Sequence, residues 1–192
     1  MSALLLIARI IDGLNGYIGR AMGWVALVMV AIGVINVIGR YLGATLGMQL
    51  SSNAMLEAQV YAYGLVFLLA AAYVLCRNGH VRVDVIYASR SRRTRAWVDL
   101  FGTIFFLIPF CLFVLYFSVD YVARSWSVLE SSPNPGGLPR YPIKSVILLG
   151  FSMLLLQGIS EIIKRVAWLR GVPGVAGPGE QGVRQPDPGR EG

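Results

Sequence analysis

Few residues in this chain can do chemistry, and nearly all sit at the edges of apolar runs. There is one histidine, His80, and there are two cysteines, Cys76 and Cys111. Zinc and haem centres mostly draw two or more protein ligands, so this set supplies no metal or cofactor site. No glycine-rich phosphate loop and no nucleophile–base constellation is present. Glu57 and Asp99 are separated by an apolar run and a basic loop, which places them at opposite ends of a span and excludes a catalytic pair. No catalytic residue, cofactor or metal ligand is therefore expected, and an enzyme is not the reading. Two amides lie inside apolar runs, Asn36 and Gln157. An amide in hydrocarbon seeks a partner on a neighbouring helix. For Asn36 a place near the interface, in touch with water, is the equal alternative.

The elements that position these residues follow from charge spacing. Glu57 is followed by nineteen residues without a formal charge, Ala58 to Cys76. Then come Arg77, Arg82, Arg90, Arg92, Arg93 and Arg95 within twenty positions. An uncharged run of that length ending in arginines reads as a transmembrane helix emerging into the cytoplasm.

Composition agrees. Only 14% of the 192 residues are charged, against about 25% in soluble domains. The net charge of +7 gathers beside apolar runs, which points to anionic lipid headgroups and topology and not to nucleic acid. The fold class expected is an all-α integral membrane protein of four transmembrane helices with an N-terminal interfacial amphipathic helix.

Within residues 1–20, Arg9, Asp12, Gly16 and Arg20 share one helical face and Leu4, Ile7, Ile11, Leu14 and Ile18 the other. That pattern predicts a helix along the membrane surface; the alternative is the first turns of a long first span. No signal peptide is indicated. The four-helix membrane domain is expected over 21–165, with spans at about 21–39, 58–76, 100–119 and 143–162. Residues 41–56 form a mixed connector, in which Ser51 or Ser52 suits a helix cap. Pro109 sits mid-way along the third span and should kink it. Residues 171–192 hold eleven glycines and prolines and read as a disordered cytoplasmic tail.

Lysine and arginine number one in 40–57, six in 77–96, two in 124–143 and three in 161–170. The alternation places the second loop, the tail and both termini in the cytoplasm. No uncharged run contains Asp, Glu, Lys, Arg or His, whereas a transporter's own ion or substrate site usually does. That argues against an autonomous small exporter and for a helical scaffold within something larger. A membrane-anchor subunit of a redox complex is the alternative, with the lone His80 speaking against haem.

The series Asn36-Val-Ile-Gly-Arg40-Tyr41, Glu57, Tyr63-Gly-Leu-Val-Phe-Leu-Leu-Ala-Ala-Ala72 and Arg77-Asn-Gly-His80-Val-Arg82-Val-Asp84 resembles the small permease subunit of tripartite ATP-independent periplasmic (TRAP) transporters. Leu138-Pro-Arg-Tyr-Pro142-Ile-Lys144 and Leu156-Gln157-Gly-Ile-Ser-Glu161 are similar to its mannitol/chloroaromatic-type branch. The resemblance covers about residues 20–165. It implies a multi-pass protein of the bacterial inner membrane that scaffolds a large permease. That permease imports an organic acid or related solute with sodium, and a periplasmic substrate-binding protein delivers the solute. Arg40, Glu57, Gly79, His80, Arg82 and Asp84 match recurrent family positions. A second acid often follows the Glu57 position, but Ala58 stands there. With Arg77, Asn36 and Gln157, the residues Arg40, Glu57, His80, Arg82 and Asp84 are the candidate contacts to the partner or to lipid. The bland reading of His80 is a headgroup-facing or loop-ordering side chain.

Overall fold

The computed structural model describes residues 2–79, 91–175 and 177. His80, Arg82 and Asp84 lie outside them, as does most of the tail. Among the described residues the elements are all helical: α1 (Ser2–Leu46), α2 (Asn53–Cys76), α3 (Arg92–Gly102), a π-helical turn (Thr103–Leu107), α4 (Ile108–Ser127) and α5 (Tyr141–Leu169). Four helical stretches, with α3 to α4 as one, are long and apolar enough to cross a membrane.

Residues 1–20 do not form a separate helix. The chain runs without a break from Ser2 to Leu46, and no proline interrupts it. At about 1.5 Å per residue α1 is about 68 Å long, twice a hydrocarbon core. It ends at Gly47, whose φ of +66° is the left-handed conformation that favours glycine. The chain then folds back along α1. A Cβ on Gly39 would stand 2.7 Å from the Leu50 carbonyl oxygen, and one on Gly43 would strike that of Met48. The connector thus uses the two glycines as a seat.

Ser52 caps α2: its Oγ accepts the Met55 N–H at 3.2 Å. Ser91 caps α3 in the same way through Thr94 N–H, also at 3.2 Å. The third span carries a π-helical turn, Thr103–Leu107, just before Pro109. Pro109 has no N–H, so one carbonyl in the preceding turn loses its α-helical donor. Widening the turn re-registers the bonds, and Ile108 N–H reaches back to the Thr103 carbonyl. Gly158 on α5 makes room for it, since a Cβ there would lie 3.0 Å from Leu107 Cδ2.

Helix α5 is the central element, in contact with α1, α2, α3 and α4. It runs alongside α2, with Gly150 against Leu68, and opposite to α4, with Phe110 against Phe151. Helix α1 runs opposite to α2, with Gly19 at Tyr73 and Gly33 at Gln59. The apolar core is small: Leu69, Ala72 and Met153, with Ile18, Met22, Leu65 and Val146 around them. Most large apolar side chains face outward, Phe106 at 77% and Tyr116 at 76% exposure among them. The largest fully buried side chains are instead Arg165, Gln157, Asn15, Cys111 and Ser160. This inverted distribution suits a lipid or protein surround and not water.

Candidate functional site: two polar clusters at opposite ends of the bundle

The first cluster joins the N-terminal part of α1 to the C-terminal part of α5. Asp12 and Asn15 stand one turn apart on α1; Gln157, Ser160, Glu161 and Lys164 occupy one face of α5. Asn15 Nδ2 donates to Gln157 Oε1 at 2.6 Å. Gln157 Nε2 donates to Asp12 Oδ1 at 2.9 Å and, more weakly, to Glu161 Oε1 at 3.3 Å. Ser160 Oγ lies 2.8 Å from Asp12 Oδ1. Lys164 Nζ sits between the two carboxylates, 2.9 Å from Asp12 Oδ2 and 2.5 Å from Glu161 Oε1.

Arg165 extends the cluster to α3. Its Nε is 3.3 Å from Asp99 Oδ2 and its Nη2 is 3.5 Å from Glu161 Oε2. These are ion pairs without close hydrogen bonds: Nε and Nη1 are buried with no hydrogen-bond partner. Three carboxylates therefore face two cations in a small space. Each member is held by another, which is what buried charge requires. The cluster fastens three helices together.

The second cluster lies at the other end of the bundle and is centred on Glu57. Its carboxylate accepts from the Ser132 hydroxyl, from Asn134 Nδ2 at 2.9 Å and from Leu138 N–H at 2.6 Å. All three donors belong to the α4–α5 loop. Asn53 Nδ2 donates to the Pro135 carbonyl at 3.1 Å, and Tyr61 hydroxyl to that of Leu138 at 3.3 Å. The loop closes on itself, with Ser132 N–H on the Leu138 carbonyl at 3.1 Å. It tolerates only glycine at 137, because a Cβ there would be 2.8 Å from Glu57 Oε2. The root of the loop is held by Glu130, which pairs with Lys144 and accepts from Ser125 Oγ at 2.7 Å. The Lys144 and Ser125 hydrogen bonds hold the Glu130 carboxyl below the usual glutamate range.

The expected site residues are thus dispersed. Gln157 has the interhelical partners foreseen for a buried amide. Asn36 is 2% exposed on α1, and its Oδ1 has no hydrogen-bond partner. Arg40 is exposed near the end of α1. Glu57 is turned inward on the chain's own loop. Arg77 ends α2 and lies over the Tyr73 ring at 5.5 Å. Sequence reasoning missed Asp12, Asn15, Asp99, Ser160, Glu161, Lys164 and Arg165 as one cluster. The available signal was the spacing of Gln157, Glu161 and Lys164 on one face of α5, matched by Asp12 and Asn15 on α1.

A search of curated proteins gives no match. A search of solved structures gives none either. A scan of protein families matches the DctQ component of the tripartite ATP-independent periplasmic transporters over residues 29–167. That stretch contains the C-terminal part of α1 from residue 29 and all of α2 to α4, and reaches almost to the end of α5. The match gives the redox-anchor alternative no support. The chain belongs to the DctQ family, and is a membrane-spanning component of a TRAP transporter rather than an enzyme.

Proposed function

We propose that this chain is the static scaffold subunit of a sodium-coupled importer, anchoring a large permease that carries the solute and sodium sites. A periplasmic binding protein delivers the solute, an organic acid or related compound of the kind handled by the mannitol/chloroaromatic-type branch. Both termini face the cytoplasm, and the basic loop meets anionic lipid there. Arg40 and Arg77, both exposed, and with them His80, Arg82 and Asp84 of the basic loop, are the proposed contacts with permease or headgroups, whereas Glu57 is taken up by the chain's own loop.

One observation carries the reading. The charged and amide groups at the α1–α5 contact are turned on one another, while most large apolar side chains face outward. A chain that moves an ion needs a coordinating group facing a water-filled path. Here these groups are spent on holding helices together.

The test is sodium-driven uptake into proteoliposomes, with a panel of labelled carboxylates as probes. Vesicles holding this chain, the permease and the binding protein should accumulate at least one probe. Vesicles with this chain alone should accumulate none. Uptake by this chain alone overturns the reading.

A further inference from the structure

Helix α3, the π-turn and α4 form one continuous span, and α5 is the only other helix on which that span packs over a length. One flank carries a stack of exposed rings. Trp97, Phe101 and Phe105 run down it with centroids 5.9 and 5.6 Å apart, and Ile104 faces outward beside them.

A backbone acceptor on this flank has lost its donor. In an α-helix the Ile104 carbonyl takes the N–H of Ile108, four residues on. Here Ile108 N–H goes to Thr103 instead. The donor five residues on, which a π-turn uses, would be that of residue 109. Residue 109 is proline and has no N–H. The Thr103 hydroxyl is spent on the Asp99 carbonyl at 2.8 Å. Among the described residues no side chain takes over at Ile104.

Depth makes this carbonyl informative. Ile104 is the fifth residue of the uncharged run after Asp99. It lies about 10 Å along the helix from Trp97, a ring of the kind that sits at headgroup level. Polar backbone groups inside the hydrocarbon need a partner, and an acyl chain has no donor. A buried water needs about two to four polar partners, but the outward side chains around Ile104 are apolar. A protein helix that carries a hydroxyl, amide or indole meets both demands, because it also covers the stacked rings. A DctQ component works with a large permease, which supplies such helices.

We propose, resting on the scaffold reading, that this flank of the third span is a docking surface for a membrane helix of the large permease, which brings a polar donor to the Ile104 carbonyl.

The test runs in cells expressing the full set of transporter genes. The photo-cross-linker p-benzoylphenylalanine replaces Phe105 and, as controls, the exposed Val28 on α1 and Val60 on α2. Irradiation should join position 105 to a polytopic partner at least fivefold more than either control. Pro109→Ala supplies the missing N–H from within the chain. It should raise the unfolding midpoint of the isolated chain in detergent and lower the permease recovered with it at least threefold. Equal cross-linking at positions 105, 28 and 60 overturns the surface, and so do adducts to lipid alone at 105. Permease recovery unchanged by Pro109→Ala overturns the donor at Ile104. Where the permease still co-purifies with wild type, each of these results leaves the scaffold reading standing; where it does not co-purify at all, both fall. The wild-type cross-linking map decides alone if Pro109→Ala does not accumulate.

Discussion

Asn15 on α1 donates a 2.6 Å hydrogen bond to Gln157 on α5, across 142 residues of sequence. The bond ties the first helix to the last, and it lies beside the Asp12–Lys164 ion pair. Replacing Gln157 with Leu removes partners from Asn15, Asp12 and Glu161 at once. Single interhelical bonds in membranes average about 0.6 kcal/mol and reach about 1.7 kcal/mol, so a loss of about 1–3 kcal/mol is expected. Thermal or denaturant unfolding in mild detergent measures it, and a variant as stable as wild type contradicts the network.

Lys164→Met should cost more. It removes the ammonium now 2.9 Å from Asp12 and 2.5 Å from Glu161, which leaves Asp12 without its cation and Glu161 with Arg165 alone, at 3.5 Å. Breaking a buried pair in this way costs about 3–5 kcal/mol. Adding Asp12→Asn should restore part of the loss, and the cycle of single and double variants reads the coupling.

The Glu57 clasp predicts a loop phenotype separable from global stability. Glu57→Ala strands the donors on Ser132, Asn134 and Leu138, and Gly137→Ala drives a Cβ toward Glu57 Oε2. Both should raise protease nicking within 131–138 by an order of magnitude or more while unfolding in detergent shifts little. Equal nicking in wild type and both variants refutes the clasp.

The spans were legible because uncharged runs bounded by arginine report the bilayer directly. Ser52 was legible as a cap from local chemistry alone. The interior polar contacts were less so. Glu161 closes the fourth uncharged run, Lys164 and Arg165 after it read as topology markers, and Asp12 reads as the wet face of a surface helix. Only the tertiary meeting of α1 with α5 turns them into one cluster, and nothing local encodes a contact 152 residues apart. Glu57 was legible as an important acid, but its use by a turn-rich loop 75 to 81 residues downstream was not. Pro109 announced a distortion, while the choice of a π-turn depended on the space beside Gly158.

Glu130 sets an acid limit on the same loop. Its carboxyl is held below the usual glutamate range by Lys144 and Ser125. A depressed carboxyl favours the fold above its unfolded pKa, near 4.5, and the favour is lost as pH falls through the folded value. Nicking of 131–138 should therefore rise as pH drops below about 4.5. Glu130→Gln should nick more than wild type at pH 7 and show less of this acid dependence. The two proteins tracking together across pH counts against the assignment.

Orientation has its own test. Cysteines at Ser52 and Ser91, on caps at opposite ends of the bundle, are placed in a chain whose Cys76 and Cys111 are replaced by Ala. A membrane-impermeant maleimide should label position 52 in intact cells, and position 91 only after the cells are opened. Labelling of position 91 from outside reverses the topology.

The central claim is that this chain holds a larger permease in the bilayer, and co-purification tests it most directly. The tagged chain is extracted in mild detergent from cells expressing its full set of transporter genes, and the eluate is quantified by mass spectrometry. The expected result is a polytopic partner much larger than 21.0 kDa, present in equimolar amount. Recovery of this chain alone, as a stable folded monomer, would contradict the account.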